Sequence, residues 1–436
     1  MQRYESYKPT TIEWASKIPA DWRVQPIRAL FKERKEKNKG PKTDFILSVM
    51  KDIGIIPYDE KGNIGNKKSE NIENYKVVYP GDLVVNKMNA IIGSLGISRF
   101  HGALSQVYFV LYPKDLSRTN HKYLGYLFKV RPFQQSLIKI SKGMMELRES
   151  IEFDEFKKLV LPVPPRDEQD RIVAFLDQKT AEIDAAIMKK ERLIELLNEQ
   201  RSIQTNRAVT LGLDRAAPLR NGESEWIESV PEHWEIVPLK HISTVQSGVT
   251  LGKNFVLSKS TKSYPYLRVA NVQDGYINLS TVTEIILPIR EAKNYLLRAG
   301  NILVTEGGDI DKLGRGNCWD GQIEECLHQN HVFAVRILKR VRPEFVALIT
   351  GVSYARRYFT TTANKTTNLA STNKTKLGNL PVLVPPLSEQ DAILDFCNKS
   401  KTKYAKIIDS VAKEISALKD MKSSLIAEAV AGRIRV

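Results

Sequence analysis

The sequence predicts an α+β protein: two tandem globules of mixed α/β structure, each followed by a long helix. The two helices are expected to pack as an antiparallel coiled coil, giving the chain an approximate two-fold symmetry. Three observations lead there. A double proline followed by Glu-Gln-Asp occurs twice, as PPRDEQD at residues 164–170 and PPLSEQD at residues 385–391. A second signature is doubled as well, EWASKIPADWRVQPI (residues 13–27) returning as EWIESVPEHWEIVPL (residues 225–239). Finally, each double proline opens a stretch of about 40 residues without Gly or Pro, apolar at helical spacing.

The first globule is assigned residues 1–165. Short apolar runs broken by Gly, Pro and Asn, such as DFILSVM, VVYPGDLVVNKM and SQVYFVLYP, read as strands, and HKYLGYLFKVRPFQQSLIKI reads as helical. A central helix is assigned residues 166–207, because Ile172, Leu176, Ile183, Ile187, Ile194 and Leu197 share one face. Residues 208–224 are expected to be a linker. The second globule, residues 225–386, has strand-like NILVTEGG and HVFAVRILKR. Residues 387–436 form the C-terminal helix, with Ile393, Cys397, Tyr404, Ile408, Val411, Ile415, Leu418 and Leu425 on its face.

At about 1.5 Å per residue, each helix would be roughly 60 Å long, and one so long with a single apolar seam needs a partner helix. Asp167 and Ser388 are the expected N-caps, with Glu168, Asp170, Glu389 and Asp391 placing negative charge at the positive end of each helix. From the double proline onward the copies correspond at one constant offset: Ile172 to Ile393, Phe175 to Phe396, Ile187 to Ile408, Ala208 to Ala429. So long a period means a duplicated domain rather than a solenoid.

With 436 residues, 42% apolar and 27% charged, the chain has ordinary globular composition and room for more than one core. No apolar run approaches the ~20 residues of a membrane span, and the N-terminus lacks a signal-peptide core. The three cysteines form no CxxC pair, so a cytoplasmic protein is expected. Its balance is basic: 66 Lys and Arg against 50 Asp and Glu leave +16. That excess favours a polyanionic partner, most simply nucleic acid, because neutralising phosphates releases condensed counterions. The basic run FKERKEKNKGPK (residues 31–42) reads as a solvated helix face or phosphate-facing edge rather than a reader of bases.

No catalytic constellation stands out. SGVTLGKN (residues 247–254) imitates a phosphate loop, but only three residues separate its glycines and Asn254 stands where Ser or Thr is needed. DIDKLG (residues 309–314) imitates a calcium loop but has Leu313 at a ligand position. Cys318, Cys326, His328 and His331 lack regular zinc spacing. Neither an Asn-Pro-Pro-Tyr methyltransferase motif nor a nucleotide-binding glycine fingerprint occurs.

The order globule, LPVPPRDEQ, long helix, second globule, LVPPLSEQ, long helix resembles the specificity subunits of type I restriction-modification enzymes. IPADW, VPEHW, YPGDLVVNKM, EGGDIDKLGRG, HQNHVF and TTNLASTNKTKLGNLPVLVPP add to the likeness, which covers nearly the whole chain. The resemblance implies that the globules are target recognition domains, each reading one half of a split, asymmetric site in double-stranded DNA. It implies that the helices space the halves and dock two methyltransferase subunits, with restriction (motor-nuclease) subunits joining that core. It further implies a bacterial or archaeal protein that is not itself an enzyme and binds no cofactor, S-adenosylmethionine, ATP and Mg being expected on the partner subunits.

On this reading the DNA-contacting residues are sought on polar loops of the globules. In the first globule they are Asn86, Lys87, Asn89 and Arg99 around flexible glycines, with Lys142 and Arg148 of KGMMELR. In the second they are Lys312 and Arg315, then His328, Gln329 and Asn330 of HQNH, then Lys365, Thr367 and Asn368 of NKTTN. Arg and Lys suit guanine edges, Asn and Gln suit adenine, and all can hold phosphate instead. Two other readings stay open at this point: a stand-alone sequence-specific or architectural DNA-binding protein, and an enzyme with an unrecognised site. Helices that bind large partners should expose apolar residues outside their mutual seam.

Overall fold

The computed structural model describes residues 2–40, 42–51, 53–63, 67–142, 150–250, 260–310, 312–338, 340–365 and 370–436. The chain divides into two compact units, one formed by residues 1–191 with 412–436 and the other by residues 192–411. Each unit therefore holds one globule together with segments of both long helices.

The globules share a plan. In the first, a four-stranded antiparallel sheet runs in the order Phe31–Glu33, Tyr108–Pro113, Leu83–Asn86, Leu95–Ile97. The second repeats it with Ser243–Ser247, Val332–Ile337, Asn301–Thr305 and Gly316–Trp319. The inner strands are buried on both faces, Leu83, Val84 and Val85 in one and Ile302, Leu303 and Val304 in the other. That is why these segments read as unbroken apolar runs rather than as alternation. A strand pair beside each sheet, Arg23–Pro26 with Val160–Val163 and Glu235–Pro238 with Pro381–Val384, carries the chain to its double proline.

The copies diverge where they leave this plan. The first globule adds the hairpin Leu47–Met50 and Gly54–Pro57, with a small core of Leu47, Val49, Val78, Val84, Leu104 and Val110. The second adds a three-stranded sheet, Thr283–Pro288, Thr261–Leu267 and Leu327–His328, over Val249, Tyr264, Tyr266, Leu287, Ala292 and Leu327. A common frame thus carries two unlike attachments.

The long helices run Arg166–Leu211 and Leu387–Val430. Both start earlier than their expected caps. Gln169 N donates to Pro165 O, and Gln390 N to Pro386 O, so the second proline of each pair closes the first turn and Asp167 and Ser388 lie inside the helix. The first helix also runs beyond Arg207. Its end is set by Gly212 at φ +74, and the expected linker contains the strand Leu219–Ser224, paired with Ile227–Pro231. Likewise the second helix stops at Val430, before Gly432 at φ +69. Both glycines sit just past the helix in the left-handed conformation that ends helices and that Gly adopts most readily.

Within the first unit the helices are antiparallel. Asp184 pairs with Lys422 and Lys190 with Glu414, so partner numbers fall as the helix ascends. The first globule's core takes in Ile172, Val173 and Leu176 from the start of one helix, and Ile426, Ala429 and Val430 from the end of the other. In the second unit Ile393 and Cys397 come from a helix start and Ala208 and Val209 from a helix end. Each globule is therefore sealed by the beginning of its own helix and the end of the other copy's. The doubled tryptophan signature receives that end: a Cβ on Gly432 would lie 3.1 Å from Trp22 Cη2, and one on Gly212 3.2 Å from Trp234 Cζ2.

The repeated Gln is the centre of the joint. Gln169 is fully buried. Its Oε1 accepts from Asn120 N at 2.7 Å, while its Nε2 donates to Arg118 O at 3.1 Å and Pro164 O at 2.9 Å. Gln390, equally buried, accepts from Arg342 N at 2.8 Å and donates to Arg340 O at 3.2 Å and Pro385 O at 2.8 Å. In both copies one amide side chain ties the loop before a globule helix (His121–Lys129 or Pro343–Gly351) to the first turn of the long helix. The next residue reinforces the tie. Asp170 accepts from Asn120 Nδ2, and Asp391 takes both Nε and Nη2 of Arg342. These bonds hold both carboxyls below the usual carboxylate range.

Candidate nucleic-acid interface

In each globule the structure brings two of the sequence-predicted segments together. The chain leaves the inner strand Leu83–Asn86 through Lys87, whose carbonyl accepts from Ile151 N. Ile151 belongs to the ribbon Ser141–Lys142 with Ser150–Ile151, so Lys87 and the backbone of Lys142 share one edge. In the second globule Glu306, at the corresponding exit from Asn301–Thr305, accepts through its carbonyl from Thr372 N. There Gly307–Gly308 pairs with Ala370–Ser371, which pairs with Asn364–Lys365, so these three short strands form one ribbon. Two segments far apart in sequence thus form one loop cluster at the same end of the same sheet in each copy.

The individual residues fare differently. Asn89 and Lys365 are exposed, and Lys87 is half-buried. Lys312 is exposed and pairs with Asp309, and Arg315 is half-buried on the same turn. Asn86 is buried, its Oδ1 accepting from Met88 N, so it shapes the turn. Arg99 is exposed but does not join the cluster. Leu95 lies opposite Val85 and Ile97 opposite Leu83, so Arg99 leaves the sheet at the end away from Asn86. Its charge acts instead on Tyr126 and Asp177. Arg148, Thr367, Asn368 and the side chain of Lys142 lie outside the described residues.

HQNH is a structural segment. His328 is fully buried on a strand paired with Thr261–Leu267, its Nδ1–H donating to Val332 O at 2.7 Å. Burial pushes its pKa down to about 4, so the ring is neutral and not presented to a ligand. Gln329 N donates to Leu267 O and Asn330 N to Val249 O, fixing their backbones in the same seam. His331 is the exposed member, its Nδ1 2.7 Å from Glu306 Oε2. Of the four, only His328 is fully buried, on the short strand Leu327–His328, while Gln329 and Asn330 are half-buried and His331 is exposed.

Three of the six basic residues at 31–42 pair within their own globule. Arg34 forms a two-pronged bond to Asp82, while Lys42 meets Glu36 and Lys35 meets Glu33. Arg34 also lies over the rings of Tyr79 and Tyr112, so this charge braces the globule. Among the described residues no helix is long and apolar enough to cross a membrane.

The model for the type I restriction modification DNA specificity domain matches this chain twice, at residues 19–197 and 231–415. The chain belongs to that family. The two matches fall on the two copies, each spanning a globule and the start of its helix. The EcoKI specificity subunit of Escherichia coli K12 is 21% identical over 446 residues, covering 96% of this chain and 90% of its own. The MjaX specificity subunit of Methanocaldococcus jannaschii is 25% identical over 203 residues, or 46% of each chain. The fold is also that of a chain solved in work on complex assembly and conformational transition of the type I R-M system, with TM-score 0.67, 14% identity and coverage of 96% and 99%. Specificity domains of this family serve DNA sequence recognition.

Proposed function

We propose that this chain is the non-catalytic DNA specificity subunit of a type I restriction-modification system. It reads a split, asymmetric site in double-stranded DNA, one half per recognition domain. Its helices dock two methyltransferase subunits, to which restriction subunits attach, and S-adenosylmethionine, ATP and Mg act on those partners.

The carrying observation is the repeated joint under unlike globules. A scaffold with two equivalent helix starts offers equivalent docking surface twice, while the differing attachments let the half-sites differ. Exposed apolar residues support docking over helices that pair only with each other. Met188, Leu196 and Ile203 on the first helix and Ile407 and Met421 on the second are all exposed, Met188 by 69%. Large apolar side chains in water mark interaction surface.

The test is to express the chain with its cognate methyltransferase subunit in a methylation-free bacterium and map modified bases genome-wide. A motif with two unlike halves and a fixed gap, present only with both proteins, is the expected result. Methylation by the purified chain alone would contradict the non-catalytic role, and no motif beside an active partner would leave a stand-alone DNA binder.

A further inference from the structure

The two copies allow a subtraction: what the scaffold needs should occur in both, and what occurs in one serves something else. One difference in charge lies at a cleft of about 500 Å³ in the second unit, where the end of the first long helix lies beside the start of the second. Its walls include Gln204, Arg207, Arg215, Lys399, Lys403 and the buried Tyr404. Lys399 pairs with Asp395. Arg207, Arg215 and Lys403 are exposed and have no carboxylate partner among the described residues.

The same place in the first unit is built differently. The shared offset puts Gln178 where Lys399 stands, Glu182 where Lys403 stands and Glu428 where Arg207 stands. Its cations are neutralised locally: Lys179 pairs with Glu182, Arg433 with Glu428, and Arg435 with Glu5. Both units have the helix pairing, the C-terminal glycine and the tryptophan contact, so none of these requires unpaired cations. Holding like charges together costs free energy, and that cost is offset when an anion arrives.

We propose that this cleft binds phosphate groups of the duplex DNA backbone, as a sequence-independent contact belonging to the second unit alone. The inference rests on the DNA-specificity reading and adds a site on the scaffold rather than on the recognition loops. A concave site lined by one sign of charge focuses its field on an incoming anion. Lys399, Lys403 and Lys406 lie at i, i+4 and i+7 on one helix face, a row of about 10 Å. One strand presents a phosphate about every 3.4 Å along the duplex, so the row matches a run of them. Arg207 and Arg215 add guanidinium forks suited to phosphate oxygens.

Salt dependence of DNA binding tests this in the full chain. The triple variant R207Q/R215Q/K403Q is compared with wild type and with the first-unit control K179Q/R433Q, on a target duplex and a scrambled one. The slope of log affinity against log salt should become shallower by about 2 to 3 in the triple variant on both duplexes, with their affinity ratio unchanged. The control should keep the wild-type slope. A folded triple variant with an unchanged slope overturns the site while leaving the specificity reading intact. Wild type that binds no duplex overturns both. An unchanged slope with lost methyltransferase co-purification reassigns the cleft to an acidic partner surface. Protection of Lys403 from acylation by pyrophosphate but not by duplex reassigns it to free phosphates. Either reassignment contradicts the proposal.

Discussion

The two joints between globule and helix are the same in one respect and different in another. Gln169 and Gln390 make the same three bonds to equivalent loop and proline atoms. The preceding glutamates do not match. Glu389 accepts from Trp234 Nε1 at 2.9 Å and meets His233 at 2.6 Å, whereas Glu168 accepts from Tyr4 and leaves the buried Trp22 Nε1 without a partner among the described residues. The glutamine is thus what the joint requires, and the glutamate's partner has been free to change.

The largest effect should come from removing that common element. Q390L keeps the volume but strands one buried backbone N–H and two carbonyls, each worth about 1 kcal/mol or more. We expect a loss of roughly 3 kcal/mol in the second unit, and Q169L should do the same to the first. Hydrogen exchange at Asn120 and Arg342 reads the two joints separately, each variant unprotecting only its own. Equal loss of protection at both residues in either variant would mean the joints do not act independently.

Next come the helix-ending glycines. Gly432 and Gly212 share a positive φ, but a Cβ at Gly432 would overlap Pro19 Cδ, while one at Gly212 would only touch Trp234. In denaturant melts G432A should therefore cost more, about 2 to 3 kcal/mol against about 1 for G212A. Equal costs would show that backbone strain, which the two glycines share, and not the approach of the tryptophan loop, sets the cost.

The tryptophans give the smallest contrast. Replacing Trp234 by Phe removes a bond to a carboxylate, an effect of about 1.5 kcal/mol beyond lost packing, whereas W22F removes an indole N–H that already lacks a partner. Equal losses in the two variants would point to a water or another acceptor satisfying the Trp22 indole N–H.

Much of this was legible in the sequence for physical reasons. Proline pairs and Gly-free stretches mark strand ends and long helices, because Pro cannot donate and Gly weakens a helix. Inner strands show as apolar runs because both their faces are covered. The helix caps were expected two residues late, at Asp167 and Ser388, because a proline can serve as the cap through its backbone carbonyl. The role of the glutamine was hidden, since its partners at residues 118–120 and 340–342 lie about 50 positions away and signal nothing locally.

The site was legible as segments rather than as residues. The loops at Lys87 and Glu306 do meet their ribbons, but His328 and Asn86 turned inward because burial depends on tertiary pairing. Two lysine-rich stretches, at residues 31–42 and 398–406, look equally basic. Only the fold shows that the first is matched by Asp82, Glu36 and Glu33 while Lys403 is not.

The central claim is that one frame carries two independent readers. Its most direct test is to replace residues 1–165 with the corresponding globule of another specificity subunit, keep both long helices, and map methylation with the same partner. The expected motif has one new half, while the other half and the gap are unchanged. A motif altered in both halves would contradict it.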